Sequence, residues 1–129
     1  LLAPYRLEMG IANQIIEGYK SMYEFWRKKI TEYVNQLKGK IILNLASKEY
    51  SHVILTDQLH KKCINCDFYE MKNGTPKIVG NYAKAARGLM VNYIVKNKIK
   101  SVQELMNFNE GNYKLDEANS SELNLKFIR

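Results

Sequence analysis

Residues 82–90 (Tyr-Ala-Lys-Ala-Ala-Arg-Gly-Leu-Met) place two cations among small side chains. The 3.6-residue period predicts a helix here, with Lys84, Arg87 and Gly88 on one side and an apolar stripe on another. Glycine inside a helix costs about 1 kcal/mol relative to alanine, so we expect Gly88 to have a packing or close-approach role. Two cations beside a stretch without bulky side chains would suit a phosphate or a carboxylate. The alternative is a solvated basic face on a core helix.

Basic residues are concentrated in the middle of the chain. The 129 residues carry a net charge of +7, and positions 60–100 hold nine Lys or Arg against two acidic residues. Eleven residues of each sign occupy the rest of the chain, so the whole excess lies in that segment. Its cations include Lys72 and Lys77 as well as the two on the predicted helix. A localised excess predicts a polyanionic partner, nucleic acid first and an anionic membrane second, whereas ordinary lysine-rich surface is the alternative.

A second set of polar side chains follows residues 40–45, whose nearly continuous apolar run predicts a buried strand. Asn44 ends this strand, Ser47 can cap a following helix, and Glu49 then lies in its first turn. Open α/β sheets hold their ligands at the carboxyl ends of strands. Asn44, Ser47, Glu49 and Tyr50 therefore form a candidate ligand pocket, with capping and a satisfied Asn as the alternative.

Arg6 belongs to an opening segment that Pro4 predicts to be extended. Alternation in such a segment places Arg6 and Glu8 on one face. Buried together, the two side chains would form an ion pair, whereas an exposed Arg6 would be available to an anion. Both alternatives stay open.

Cys63 and Cys66 form one Cys-x-x-Cys pair without a second cysteine pair or a nearby histidine pair, which is a weak metal signal. A strand here points the two thiols to opposite faces, which disfavours joint ligation. We expect structural thiols and predict no metal site and no cofactor.

The remaining patterns predict one mixed α+β domain over residues 1–129, in which a long N-terminal helix, a strand–helix–strand unit, β-hairpins and the basic helix surround one core. The predicted elements are a helix at 12–38 with Asn13 as N-cap, a strand at 40–45, a weak helix to about 59, strands at 63–71 and 75–81 joined by Lys-Asn-Gly, a helix at 82–97, a short helix at 101–106 with a capping box, and a closing hairpin of 113–116 with 123–128.

Six blocks resemble, in the same order, sequence blocks of the YaaA family, bacterial proteins linked to peroxide stress. They are Pro-Tyr-Arg-Leu-Glu-Met-Gly at 4–10, Tyr-Glu-Phe-Trp at 23–26, Asn-Leu-Ala-Ser-Lys-Glu-Tyr at 44–50, Lys-Asn-Gly at 72–74, the block at 82–90, and Phe-Asn-Glu-Gly-Asn-Tyr at 108–113. A series of ordered blocks is far more specific than any one of them. The first block is similar to a mid-chain landmark of the family, so the chain resembles the C-terminal half of such a protein, and the N-terminal half is an expected partner.

This resemblance implies a cytoplasmic DNA-binding protein that protects cells from hydrogen peroxide, partly by keeping free iron low. By that analogy the basic helix lines a positive cleft for the DNA backbone. Lys84 and Arg87 match the family block, and Arg6, Lys72 and Lys77 are added as anion-binding candidates. Binding to duplex or irregular duplex DNA would be largely independent of sequence. No membrane partner is expected. No apolar run approaches the roughly 20 residues needed to cross a bilayer.

An alternative function is an enzyme or a binding protein for a small phosphorylated or nucleotide ligand. Arg6, Lys84 and Arg87 would clamp the anion, with Glu49 as a general base in a pocket shared with Asn44 and Ser47. Against an enzyme, the sequence holds no phosphate-binding loop, dinucleotide fingerprint, zinc-protease motif or nucleophile elbow. No catalytic residue is therefore assigned.

Overall fold

The computed structural model describes residues 18–129. Its helices and strands follow the chain as α1 (Met22–Gln36), β1 (Ile41–Asn44), α2 (Lys48–Ser51), β2 (Lys62–Lys72), β3 (Thr75–Lys77), α3 (Gly80–Asn97), α4 (Val102–Met106), β4 (Lys114–Leu115) and β5 (Asn124–Ile128). Single 3₁₀ turns occupy Thr56–Gln58, Glu110–Asn112 and Glu117–Asn119. The α+β class predicted from the sequence is confirmed.

The chain divides into two compact units. Of the described residues, the first comprises 18–42 with Ala46–Lys62, and the second comprises Leu43–Leu45 with Cys63–Arg129. That residues 1–129 form a single domain stays a prediction. Within the part of the chain that the structure describes, no helix is both long enough and apolar enough to cross a bilayer.

In the first unit, α1 begins later than the apolar period predicts. Ser21 caps the helix by accepting a hydrogen bond from the Glu24 N–H, and the Glu24 carboxylate accepts one from the Lys20 N–H at 2.8 Å. Gly18 adopts a φ of +87°, which is incompatible with a helix. The predicted helix is therefore wrong between residues 18 and 21, because a local cap overrides apolar spacing. Asn13, the predicted cap, lies outside the described residues.

Thr31 is the most buried polar residue of α1. Its hydroxyl donates to the Arg27 carbonyl at 2.7 Å and accepts from the Leu55 N–H at 3.0 Å, so both hydrogen-bonding roles are satisfied. Tyr23 is buried, whereas Trp26 is 37% exposed and packs edge-on against Phe25. Of these two aromatic residues of α1, only the tyrosine is therefore a buried core residue.

The sheet has the strand order β1-β2-β5-β4, and β3 pairs with β2 off this path. All of its residues except Ile41, Ile42 and Lys62 belong to the second unit. β2 and β5 run parallel with Asn65 opposite Asn124, and β4 and β5 form the predicted antiparallel closing hairpin. Burial alternates along β2, because successive side chains of a strand point to opposite faces. One face of the sheet is therefore a core face.

Four aromatic rings hold this core together. Phe68 stacks on Phe127 at a centroid distance of 5.5 Å, and Phe108 and Tyr113 meet Phe68 edge-on. These rings are 0–2% exposed. The helix α3 adds Ala83, Ala86 and Met90 to the same cluster, with two small residues that allow the helix to approach closely. The sheet therefore positions both α3 and the loop that carries Tyr113.

Turn chemistry ends the strands and begins the helices. Asn73 and Gly74 both have positive φ, as a two-residue type I′ hairpin turn requires. β3 stops at Lys77 because α3 already begins at Gly80, so the predicted strand to residue 81 is wrong. The capping box of α4 is confirmed. The weak helix predicted to about residue 59 is instead the short α2 and one 3₁₀ turn.

Candidate functional site

The exposed side of α3 carries the two cations that the sequence singles out. Lys84 and Gly88 are exposed, Arg87 is half-buried, and Ala83 and Ala86 on the other side are buried in the core. The 3.6-residue spacing thus separates the helix into a core side and a basic side, as predicted.

Gly88 has no packing role among the described residues. A Cβ built at this position would meet nothing within 4 Å, and the residue keeps its helical backbone. An alanine would therefore fit here and would favour the helix. We expected Gly88 to serve either packing or the close approach of another molecule. The open space around it is compatible with the second role.

Three cations of the basic segment have no hydrogen bond or ion pair in the part of the chain that the structure describes. Within residues 18–129, Lys84, Arg87 and Lys77 form no hydrogen bond or ion pair. Lys61 differs, because its ammonium donates to the carbonyls of Leu37 and Gly39 and so holds the end of α1. Lysines of the basic segment therefore divide into structural ones and ones available to a partner.

Lys72 and Lys77 lie on the arm formed by β2 and β3. Glu70 faces Lys77 across the antiparallel pair, and Lys72 is two residues beyond Glu70 on the same strand. Residues paired in this way, and residues two apart, share a face of the sheet. The arm thus presents two exposed lysines on the face where Glu70 is buried.

Glu70 is the centre of a charged cluster whose members are far apart in the sequence. The Nε–H of Arg129 donates to both Glu70 carboxylate oxygens, at 3.1 and 2.8 Å, and the Tyr113 hydroxyl donates to Oε1. Tyr113 is only 1% exposed. A buried carboxylate is thereby matched by one cation and one neutral donor, which is how proteins tolerate buried charge.

Protonation in this cluster follows from these contacts. Burial alone would raise the pKa of Glu70, but the hydrogen bonds from Tyr113 and Arg129 hold that pKa below its ordinary value. Burial and the bond to Glu70 raise the pKa of Tyr113 to about 12. Glu70 is thus ionised and Tyr113 is protonated at neutral pH.

The Arg129 guanidinium lies between two tyrosine rings. Its Cζ is 5.1 Å from the centroid of Tyr82 and 4.9 Å from that of Tyr113, within cation–π range. The Nη1 group also donates to the Gly111 carbonyl at 3.2 Å. This arrangement joins two of the sequence blocks, because Tyr82 opens one and Gly111 and Tyr113 belong to the other.

One signal in the sequence pointed to Glu70. Ile64, Cys66 and Phe68 alternate along β2 as core residues, and the next position in that series is an acid. A charge on an apolar face requires a partner. The partner itself, Arg129, could not be found from spacing, since it lies 59 residues away.

The residues predicted to form a ligand pocket fall in different compact units. Asn44 lies in the second, where its amide donates to the Asn65 side chain at 2.8 Å. The Asn65 amide in turn donates to Asn124 at 3.0 Å, which makes a row of amides across three strands. The Asn44 amide is thus hydrogen-bonded to a neighbouring strand, and its part in a ligand pocket stays a prediction.

Ser47, Glu49 and Tyr50 belong to the first unit. Ser47 accepts a hydrogen bond from the Tyr50 N–H at 3.4 Å, which makes it the predicted cap. The Glu49 carboxylate accepts one from the Tyr23 hydroxyl at 3.1 Å. Arg6, the remaining candidate, lies outside the described residues.

Cys63 and Cys66 point to opposite faces of β2, as predicted, with Cys66 in the core. Burial raises the pKa of Cys66 to about 12, aided by the Asp67 carboxylate, and burial also raises the pKa of Cys63. Both thiols are therefore protonated at neutral pH. Among the described residues no group of three or more His, Cys, Asp or Glu could hold a metal ion.

Comparison with known proteins gives consistent results. The family model described as "Peroxide stress protein YaaA" matches residues 1–119. The chain is 44% identical to a UPF0246 protein of Francisella philomiragia, with 100% of the chain and 52% of that protein covered. It is 42% identical to a UPF0246 protein of Acaryochloris marina, again with 100% and 52% covered, and 39% identical to one of Legionella pneumophila, with 99% and 51% covered.

The chain thus spans about half the length of the curated relatives that it matches. The family model covers 119 of its 129 residues, including the block on α3 and the block that supplies Gly111 and Tyr113. This chain belongs to the family of the peroxide stress protein YaaA.

Proposed function

We propose that this chain binds DNA through the backbone phosphates, largely without regard to sequence, by means of a basic surface. The basic surface is defined as Lys84 and Arg87 of α3 with Lys72 and Lys77 of the β2–β3 arm. Its role would be to protect the cell during peroxide stress, as a cytoplasmic protein.

The observation that carries this proposal is the pair of unpaired cations beside Gly88. Lys84 and Arg87 have no hydrogen bond or ion pair within residues 18–129, and a Cβ at Gly88 would meet no other part of the described structure within 4 Å beyond its own stretch of helix. A phosphate can therefore approach the helix surface between two cations. Arg87 offers a planar fork of N–H donors that matches phosphate geometry.

Affinity on such a surface comes from the release of counterions from the phosphates. The expected dissociation constant is about 10⁻⁴–10⁻⁶ M near physiological salt, with a slope of roughly −0.9 in log affinity against log salt for each phosphate neutralised. A surface of four cations predicts a slope no steeper than about −4 by the same rule.

The test is fluorescence anisotropy with two labelled duplexes of unrelated sequence, over a salt series. Arg87→Glu and Lys84→Glu should each lower the affinity for both duplexes by about tenfold. Each should also make the slope of log affinity against log salt shallower by about one. Lys96→Glu is the matched control, because Lys96 is exposed on α3 but lies about half a turn around the helix from Arg87. Equal affinity of wild type and folded Arg87→Glu would refute the basic surface as the DNA site.

We further propose that the chain helps to keep free iron low in peroxide-stressed cells, as the family resemblance implies. Direct chelation is not part of this proposal. Cells lacking the protein should show more chelatable iron after peroxide than cells complemented with wild type. Complementation with Arg87→Glu separates the two activities, because restored iron levels would mean that iron control does not depend on DNA binding.

A further inference from the structure

Arg129 is held rigidly in place at the end of β5. Its N–H donates to the Tyr69 carbonyl at 3.2 Å, and its carbonyl accepts from the Met71 N–H at 2.8 Å. The Nε–H is fixed on the Glu70 carboxylate, and Nη1 reaches the Gly111 carbonyl. Backbone and side chain are therefore anchored independently.

Part of the guanidinium is nevertheless unused. Arginine has five N–H donors, of which Nε–H and one on Nη1 are committed. The other three have no hydrogen-bond partner among residues 18–129, and the side chain is 32% exposed. A fixed arginine with unused, solvent-accessible donors is arranged to receive an anion.

Tyr82 differs from the other ring at this guanidinium. Tyr113 is 1% exposed and bonds to Glu70, whereas Tyr82 is 48% exposed. A tyrosine that served only the core would be covered as Tyr113 is. Because Arg129 lies over the Tyr82 ring and half of the residue still faces solvent, a planar group has room to stack there.

The local charge favours an anion even though Glu70 offsets Arg129. Lys72 and Lys77 lie on the same face of the β2–β3 arm as Glu70. Glu70 is the one acidic partner of Arg129 among the described residues, so these three cations leave a net positive charge. An aromatic ring with neighbouring cations is the arrangement that binds unstacked nucleotides.

We propose that Tyr82 and Arg129 form a subsite for one unstacked nucleotide, in which the Tyr82 ring stacks on the base and the unused N–H groups of Arg129 bind the phosphate. This subsite rests on the DNA-binding function proposed above and extends it to an unpaired residue of the strand. A free mononucleotide has the same chemistry and is the other possible source.

Two substitutions separate stacking from shielding of the Glu70–Arg129 pair. Tyr82→Phe keeps the ring, and Tyr82→Leu keeps apolar cover but removes the ring. Binding of a labelled single-stranded oligonucleotide and of a labelled duplex is measured by anisotropy, with thermal unfolding as the check on folding. Tyr82→Leu should lower the affinity for the single strand on the order of tenfold. The same substitution should lower the affinity for the duplex less. The affinity of Tyr82→Phe for the single strand should stay near that of wild type.

Competition against the single strand identifies the source and the phosphate contact. Displacement by deoxyadenosine monophosphate at lower concentration than by deoxyadenosine supports the arginine–phosphate contact for a free nucleotide. If neither compound displaces the single strand, and Tyr82→Leu still lowers the affinity for it, the subsite is assigned to a nucleotide within a strand. Equal displacement by both overturns the phosphate contact.

The outcomes also separate this subsite from the basic surface. Unchanged single-strand affinity in folded Tyr82→Leu, with duplex affinity lost in Arg87→Glu, overturns the subsite and leaves the proposed function intact. Wild type that binds neither the duplex nor the single strand overturns both. Single-strand binding that depends on Tyr82 without duplex binding supports the subsite and rejects the duplex function.

Discussion

Glu70 binds the Arg129 Nε–H through both of its carboxylate oxygens, at 3.1 and 2.8 Å, across 59 residues of sequence. This contact ties the end of β2 to the end of β5, which are parallel neighbours in the sheet. The Tyr113 hydroxyl completes the cluster from the loop before β4. Three separate parts of the second unit therefore depend on one carboxylate.

Acid should weaken the fold through Glu70. The pKa of this carboxyl lies below its ordinary value of 4.5 in the folded protein. Near that pH the folded protein therefore binds fewer protons at Glu70 than the unfolded chain does. Stability from this group is complete above about 4.5 and is lost as pH falls through the folded pKa. Thermal unfolding should show wild type losing its advantage over Glu70→Gln in that window. Parallel pH profiles of the two proteins would contradict this assignment.

Alanine at Gly111 should destabilise the protein for two reasons. The residue has a φ of +64°, and a Cβ would lie 2.8 Å from the Leu89 side chain. The backbone term alone is about 1–2 kcal/mol. Gly74→Ala is the control, because its φ is +74° and nothing lies within 4 Å. Urea unfolding should show a larger loss for Gly111→Ala, whereas equal losses would mean that Leu89 moves aside freely.

Alanine at Gly88 should have opposite effects on stability and on binding. The helix should gain about 1 kcal/mol, since alanine is the better helix former and the space is open. Duplex affinity should fall, because the added methyl group would project from the exposed side of α3, next to Lys84, where we propose that the phosphate approaches. Gly80→Ala on the same helix, also in open space, should not weaken binding. Unimpaired binding by Gly88→Ala would remove close approach as the reason for this glycine.

The two thiols should react slowly in the native protein. Burial raises the pKa of Cys66 to about 12, and burial also raises the pKa of Cys63. Because the thiolate is the reactive form, labelling at about pH 8 should be slower for Cys66 by on the order of a hundredfold or more. Cys63 is only partly buried and should react first. Fast, equal labelling of both would contradict the packing of β2, and unfolding in guanidinium supplies the reference rate.

Local patterns predicted the local structure well. The Asn73-Gly74 turn, the Ser101 capping box and the two-sided α3 depend on residues a few positions apart, whose spacing can be read directly. The start of α1 differs from the prediction, because apolar spacing extends to the N-terminal side of the Ser21 cap.

Long-range pairing in the candidate site could not be predicted in the same way. Alternation along β2 marks Glu70 as a charge on the core face, but any of the chain's cations could have satisfied it. Asn44 and Glu49 are five residues apart, yet they belong to different compact units. Sequence proximity therefore does not show which compact unit a residue belongs to, and no local pattern indicates Arg129 as the partner of Glu70.

The parallel pairing of β2 with β5 also has a consequence for folding kinetics. Asn65 and Asn124 are register partners, so this pair closes a loop of 59 residues. Closing a loop of that length costs chain entropy before the contacts between the two strands form. Such pairing is therefore slow. The β2–β3 hairpin, α3 and α4 can form from neighbouring residues first. During that interval Phe68 lacks the cover of Phe127, so the period before β5 docks is when this chain is most prone to aggregate.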